Sequence, residues 1–464
     1  MKRTVLLGAA VAFGLLSYAQ SGNGGISSGM LDEIRKGYAG SPSDKAIHNA
    51  IANNAIDKLA ANADNRNGFD THFSHKVASK GITNQKSSGR CWLFTGLNVL
   101  RAQMMAQHNL PKLELSQVYC FFWDQLEKSN LFLQGIIDTA DRPMEDKMVD
   151  WLFQNPISDG GQYTGVSELI MKYGVVPAEI MQETNTSNNT AKMRQLLALK
   201  LREYGLELRK MHEGGASHDK VAARKTEMLG DVYRVLVLNY GEPPVQFEWS
   251  VCDDAGNPLE TKTYTPQQFY KEFAGNDLCK DYVMVMNDPS REYYQLYEID
   301  FDRHNYDGQN WTYINLPVDD IKAMAIESIK NNDMMYFSCD VGKFLDRERG
   351  VLDVNNFDYG SLLGTEFGMD KRQRILTHAS GSSHAMTLMA VDIDKDGKPK
   401  KWMVENSWGP GANDGHLIMT DEWFDEYMFR LVVNKKYVPA KILKILIQKP
   451  VMLPAWDPMF ASEQ

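Results

Sequence analysis

The chain has 464 residues, of which 43% are hydrophobic and 24% charged, proportions ordinary for a globular protein with a large core. Asp and Glu number 60 against 50 Lys and Arg, a formal charge of -10, and no basic run offsets the excess, which argues against a nucleic acid partner. No stretch approaches the roughly 18 unbroken apolar residues of a membrane helix, so no membrane span is expected.

The chain opens with Lys2 and Arg3, runs through apolar residues from Val5 to Leu16, and reaches Ser17-Tyr18-Ala19, with small residues where a signal peptidase reads. This layout predicts a signal peptide over 1–19 and an exported protein, periplasmic or secreted. Gly and Ser crowd residues 20–30, a flexible start. An N-terminal helical arm is expected over 20–75, where Ile47, Ile51, Ala55 and Leu59 recur at helical spacing. Gly81 to Gly89 then leads into a helix carrying Leu93, Leu97, Leu100 and Met104 on one face. That helix belongs to a helical half over 76–190.

Met193, Leu197, Leu201, Tyr204, Leu208 and Met211 form one stripe, and after Gly214-Gly215 a second helix carries Met228, Val232 and Val235. The pair reads as a hairpin within an inserted helical subdomain over 191–280. Strand-like runs follow at Tyr282 to Met286, Met334 to Val341, His384 to Val391, Lys401 to Glu405 and His416 to Met419. They define a β-rich half over 281–454, with a tail over 455–464. Helices early and strands late indicate an α+β architecture.

The five cysteines, Cys91, Cys120, Cys252, Cys279 and Cys339, are scattered and odd in number. They form no disulfide framework and have no metal-ligand spacing, so no metal or cofactor is expected. One is placed for chemistry. In Gln85-Lys86-Ser87-Ser88-Gly89-Arg90-Cys91-Trp92, the thiol stands at the start of a helix, where unpaired N–H groups favour a thiolate. Ser88 or Gly89 can cap that helix. Gln85 can offer a side-chain N–H to a developing oxyanion, with the Cys91 backbone N–H as second donor.

A cysteine nucleophile needs a base, and the base needs an orienting group. His384 opens an apolar strand, whereas its rival His378 lies further from the strand mouth. Asn406 ends the strand Lys401 to Glu405 and can accept from one imidazole nitrogen, with Trp408 covering the contact.

These segments resemble, in the same order, the Cys, His and Asn motifs of the papain superfamily, and more narrowly the bleomycin hydrolase and aminopeptidase C family. The resemblance rests on Thr83 to Val99, Phe121 to Asp124, Asn155 to Gln162, Cys339 to Lys343, His384 to Thr387, Val404 to Gly409, Met419 to Tyr427 and Leu453 to Met459. It implies a papain-like fold with an extra helical subdomain. It implies Cys91, His384 and Asn406 as catalytic residues, Gln85 at the oxyanion, and Gly160, Gly161 and Trp408 at the substrate. It further implies a C-terminal tail in the cleft, with Gln464 near the substrate's amino group. The activity so implied is cysteine aminopeptidase action on peptides with a free N-terminus, extending to bleomycin-like amides, in a homohexamer. The sequence departs from the family over Phe460 to Gln464, where Glu463 offers a second carboxylate, and in its export signal. Two other readings are an open-cleft endopeptidase and a non-catalytic or nucleic-acid-binding assembly on the same scaffold.

Overall fold

A computed structural model describes residues 24–38, 40–66, 70–253, 255–457 and 459. The leader expected over 1–19 lies outside the described residues, as does the end of the tail, Phe460 to Gln464. Among the described residues no helix is long and apolar enough to cross a membrane. The chain divides into two compact units.

The smaller unit ends at Ala61 and includes Tyr359–Gly364. Its helices Ser28–Lys36, Pro42–Asn53 and Ile56–Ala60 occupy much of the region expected to form a helical arm. Pro42–Asn53 starts at a capping box in which Ser41 and Asp44 satisfy each other's backbone N–H.

The larger unit takes Asn62–Asp358 and the chain from Thr365 onward. Its helix Cys91–His108 was expected to bury one face. Instead Trp92, Leu93, Phe94, Thr95, Gly96, Leu97, Asn98, Val99 and Leu100 are all buried, so every side of its first turns meets protein. Gly96 permits this, because a Cβ there would lie 2.5 Å from Val166 Cγ1 in helix Tyr163–Tyr173.

The expected hairpin is present as Ala191–Glu213 and His218–Tyr240, packed on helix Gln117–Asp138. The rest of the 191–280 segment is not purely helical. Phe247–Cys252 and Pro258–Tyr264 form a separate two-stranded sheet, followed by helix Pro266–Phe273. The second strand is exposed from Pro258 to Thr263, so its sequence carries no alternation of buried and exposed positions.

The β-rich half supplies most of a twelve-stranded mixed sheet. Strand His384–Ile393 is central, antiparallel to Met335–Cys339 on one side and Pro399–Glu405 on the other. Its register sets His384 opposite Cys339 and Thr387 opposite Glu405. Helix Cys91–His108 packs across this strand. Strands Gln295–Ile299, Thr312–Asn315, Met428–Asn434 and Val451–Leu453 join this sheet in addition to the runs expected from the sequence.

Candidate active site

Cys91 is the first residue of its helix and is buried. The N-cap is Arg90, and no side chain caps the helix, so the expectation that Ser88 or Gly89 would cap it is corrected. Both residues have other bonds. Ser88 Oγ donates to the Gln85 carbonyl at 2.6 Å, and Gly89 N–H donates to Asp159 Oδ2 at 2.8 Å. The first-turn N–H groups are thereby left without a side-chain cap beside the thiol.

Arg90 is wholly buried. It makes a paired contact with Glu183 at 3.0 and 2.8 Å, donates from Nε to Ser88 Oγ at 3.0 Å, and lies over Phe94 and Phe121. This fixes the turn that aims Cys91. No disulfide joins any of the five cysteines.

On the facing sheet, His384 Nε2 and Asn406 Oδ1 are 2.8 Å apart. The Asn406 oxygen also accepts the Ser407 backbone N–H at 2.8 Å, which fixes it as the acceptor. Nε2 therefore carries the hydrogen, and Nδ1 is left for proton exchange elsewhere. Trp408 stacks on the imidazole with centroids 4.9 Å apart and planes at 29°. Burial pushes the His384 pKa down to about 4; the Asn406 bond opposes this and the Arg347 cation adds to it. His378, by contrast, is exposed beyond helix Lys371–Leu376 and has a left-handed φ of 59°.

A backbone clasp joins the loop before Cys91 to the loop after Asn406. Gln85 N–H donates to the Ser407 carbonyl at 2.8 Å, Gly409 N–H donates to the Thr83 carbonyl at 2.9 Å, and Asn84 bridges Trp408. Gly409 is required there: its φ is 78°, and a Cβ would lie 2.4 Å from Asn84 Nδ2. Gln85 Oε1 accepts from Ser407 Oγ at 2.6 Å, and Nε2 donates to the Ser88 carbonyl at 2.7 Å. The amide is thus oriented, with its oxygen and one of its N–H groups engaged.

Gly160 and Gly161 line a cavity of about 710 Å³ together with Gln162, Asp302, Arg430 and Trp456. A Cβ on Gly161 would lie 2.4 Å from His304 Cε1 and 2.7 Å from Trp92 Cε2. The two glycines are held by groups that the sequence pattern does not single out. Lys128 Nζ donates to the Gly160 carbonyl at 2.6 Å and contacts Asp124 at 2.9 Å, while Asp124 meets His304 Nδ1 at 2.5 Å. Burial pushes Asp124 upward, but the charges of Lys128 and His304 outweigh it and hold the carboxyl low. Asp159 ties this region to the loop before Cys91: its carboxylate takes Gly89 and Thr190, and its carbonyl takes Trp92 Nε1 at 2.9 Å. Of these groups only Asp124 and Asp159 lie within the stretches Phe121 to Asp124 and Asn155 to Gln162 that carry the family resemblance, and no sequence pattern marks their roles.

The described end of the chain reaches this cavity. Asp457 is buried and ion-paired with Arg291, and Arg430 Nη2 donates to the Met459 carbonyl at 2.8 Å. Gln464 lies outside the described residues. Among the described residues no group of His, Cys, Asp and Glu is arranged to hold a metal ion.

A buried thiol at a helix start and an imidazole–amide pair on the facing sheet are the equipment of a cysteine peptidase. A family model described as the Peptidase C1-like family matches residues 25–460. The chain belongs to that family. It is 36% identical to aminopeptidase C of Lactobacillus delbrueckii subsp. lactis over 442 residues, which cover 94% of this chain and 98% of that one. It is 39% identical to human bleomycin hydrolase over 400 residues, 84% of this chain and 88% of the other. The crystal structure of PepW from Lactobacillus rhamnosis HN001 superposes with a TM-score of 0.90 at 38% identity, covering 95% of this chain and 99% of that one. The α+β papain-like architecture expected from the sequence is therefore the fold of this chain.

Proposed function

We propose that the protein is a cysteine aminopeptidase that removes N-terminal residues from unfolded peptides, with Cys91 as nucleophile, His384 as acid and base, and Asn406 orienting the imidazole. The observation that carries the exopeptidase reading is the chain end. Ala455, Asp457 and Met459 are buried, and the Met459 carbonyl is held by Arg430, a residue lining the cavity of Gly160 and Gly161. A cleft narrowed there admits a short stretch before the scissile bond. The names of the similar proteins, aminopeptidase C and bleomycin hydrolase, point the same way and extend the substrate class to bleomycin-like amides.

The reaction is acyl transfer. The Cys91 thiolate bonds to the peptide carbonyl carbon, and the carbonyl oxygen takes up negative charge toward Gln85 and the Cys91 backbone N–H. The carbon–nitrogen bond breaks as Nδ1–H of the His384 imidazolium gives its proton to the leaving amine. Water, losing a proton to His384, then attacks the thioester, releasing a carboxylate and restoring the thiolate. Gly160 and Gly161 bring backbone groups close to the acyl half, Trp408 shields the imidazole on the leaving side, and Gln464 or Glu463 meets the substrate ammonium. We assign export to the leader pattern of residues 1–19, and a homo-oligomer, a hexamer, to the family resemblance; sedimentation of the mature protein tests the latter.

Fluorogenic peptides with free and acylated amino termini test the activity. Hydrolysis of the free peptide alone, abolished by Cys91→Ser, is expected. Equal turnover of the acylated peptide overturns the aminopeptidase reading.

A further inference from the structure

The turn between strands Leu345–Asp346 and Val351–Leu352 lies beside the catalytic pair and is firmly built. Asp346 Oδ1 accepts the N–H groups of Glu348 and Arg349, each at 3.1 Å, and Asp346 Oδ2 takes Arg349 Nε at 2.7 Å. Arg349 reaches Asn356 Oδ1 at 2.6 Å and the Asn65 carbonyl at 3.1 Å. Val351 and Leu352 pair with Ile418 and Met419 in the main sheet.

Arg347 differs from its neighbours. It is exposed, and among the described residues its guanidinium enters no ion pair or hydrogen bond; adjacent Glu348 does not pair with it. The guanidinium stands 5.0 Å over the Trp408 ring, and Trp408 in turn stacks on His384. An exposed cation over a half-buried aromatic ring gains only modest energy, so it stays open to a stronger partner. Its field already reaches the imidazole, adding to the downward push on His384.

We propose that Arg347 is a specificity residue that favours substrates carrying a carboxylate on the residue that leaves as the amine. The inference rests on the assignment of His384 as proton donor to that amine, which puts the leaving residue on the Trp408 side. Gly160 and Gly161 serve the opposite, acyl side. In a chain with net charge -10, an unpaired guanidinium at this point offers a local site for a planar anion, which it can hold through two parallel N–H bonds. The carboxylate has two sources: an Asp or Glu side chain at the first leaving position, or the terminal carboxylate of a dipeptide.

Four peptides with free amino termini separate the sources. Ala-Asp-amide against Ala-Asn-amide isolates the side-chain carboxylate, and Ala-Ala against Ala-Ala-amide isolates the terminal one. In at least one pair the acidic member should have the higher kcat/KM by about 2- to 5-fold, the size of an exposed ion pair, and high salt should erase the difference. Arg347→Gln should bring that ratio to about one, and Arg347→Glu should invert it. Because each ratio is taken within one enzyme preparation, loss of folded protein cannot mimic the effect. Wild-type ratios near one in both pairs, or ratios insensitive to both substitutions, overturn the proposal while leaving the peptidase assignment intact. Failure to hydrolyse any of the four overturns both.

Discussion

Arg101 and Glu405 form a buried ion pair at 2.7 Å, joining the helix that begins with Cys91 to the strand that leads into Asn406. Ser79 Oγ adds a bond to the second Glu405 oxygen at 2.9 Å. Glu405→Gln should leave Arg101 buried without its counter-charge and destabilise the protein by about 3–5 kcal/mol. Replacing both residues with apolar ones of similar volume should recover much of that stability. Urea unfolding of the three proteins checks this, and equal stability of the single and double variants would refute it.

Gln85→Ala should lower kcat by about 100- to 1000-fold, the loss expected for one oxyanion donor. The rate at which iodoacetamide alkylates Cys91 should hardly change, because alkylation forms no oxyanion. A parallel fall in both rates would mean that Gln85 acts by holding the loop through Ser88 and Ser407.

The imidazole of His384 should titrate near pH 4 once the thiol is removed, since burial and Arg347 both oppose its charge. NMR titration of Cys91→Ala provides the measurement, and a value near the ordinary 6.5 contradicts the account. The stability consequence has a definite sign. Between the two pKa values the unfolded chain holds the proton that the folded chain lacks, so stability rises with pH from about 4 to 6.5, by about 3 kcal/mol in total. Comparing Cys91→Ala with Cys91→Ala plus His384→Gln at the two ends of that range isolates the contribution from nearby carboxylates.

Gly161→Ala should force His304 or Trp92 to move, costing about 1–3 kcal/mol of stability and raising KM for peptides. Thermal melting and steady-state kinetics measure the two effects. An unchanged KM would remove Gly161 from the substrate platform.

Deleting the chain from residue 459 onward removes the Met459 carbonyl held by Arg430 and everything beyond it. The shortened protein should gain turnover of amino-acylated peptides while keeping its reactive thiol. Persistence of the strict requirement for a free amine would place its origin elsewhere.

Helix Cys91–His108 was legible because Leu93, Leu97, Leu100 and Met104 repeat at helical spacing, and strand His384–Ile393 because Ala385 to Val391 is apolar apart from Thr387. His384 and Asn406 could be singled out because each stands at a strand boundary next to small residues. Asp124, Lys128 and His304 could not, because charges within an apolar helix and an irregular loop give no sign that they meet. The Arg101–Glu405 pair was hidden for the same reason: sequence periodicity reports which face is buried, not which distant partner neutralises a charge on it. The strand Pro258–Tyr264, polar on both sides, leaves no periodic trace.

The clasp of Thr83 with Gly409 and Gln85 with Ser407 draws two distant stretches of chain into one seam, where the proposed reaction takes place. Thiol and imidazole belong to different edges of that seam, so turnover reports whether the edges are in register. Mild denaturant should therefore silence the protein before its helices melt. Removal of the denaturant should restore activity as quickly as the edges re-zip, without waiting for the whole molecule to refold.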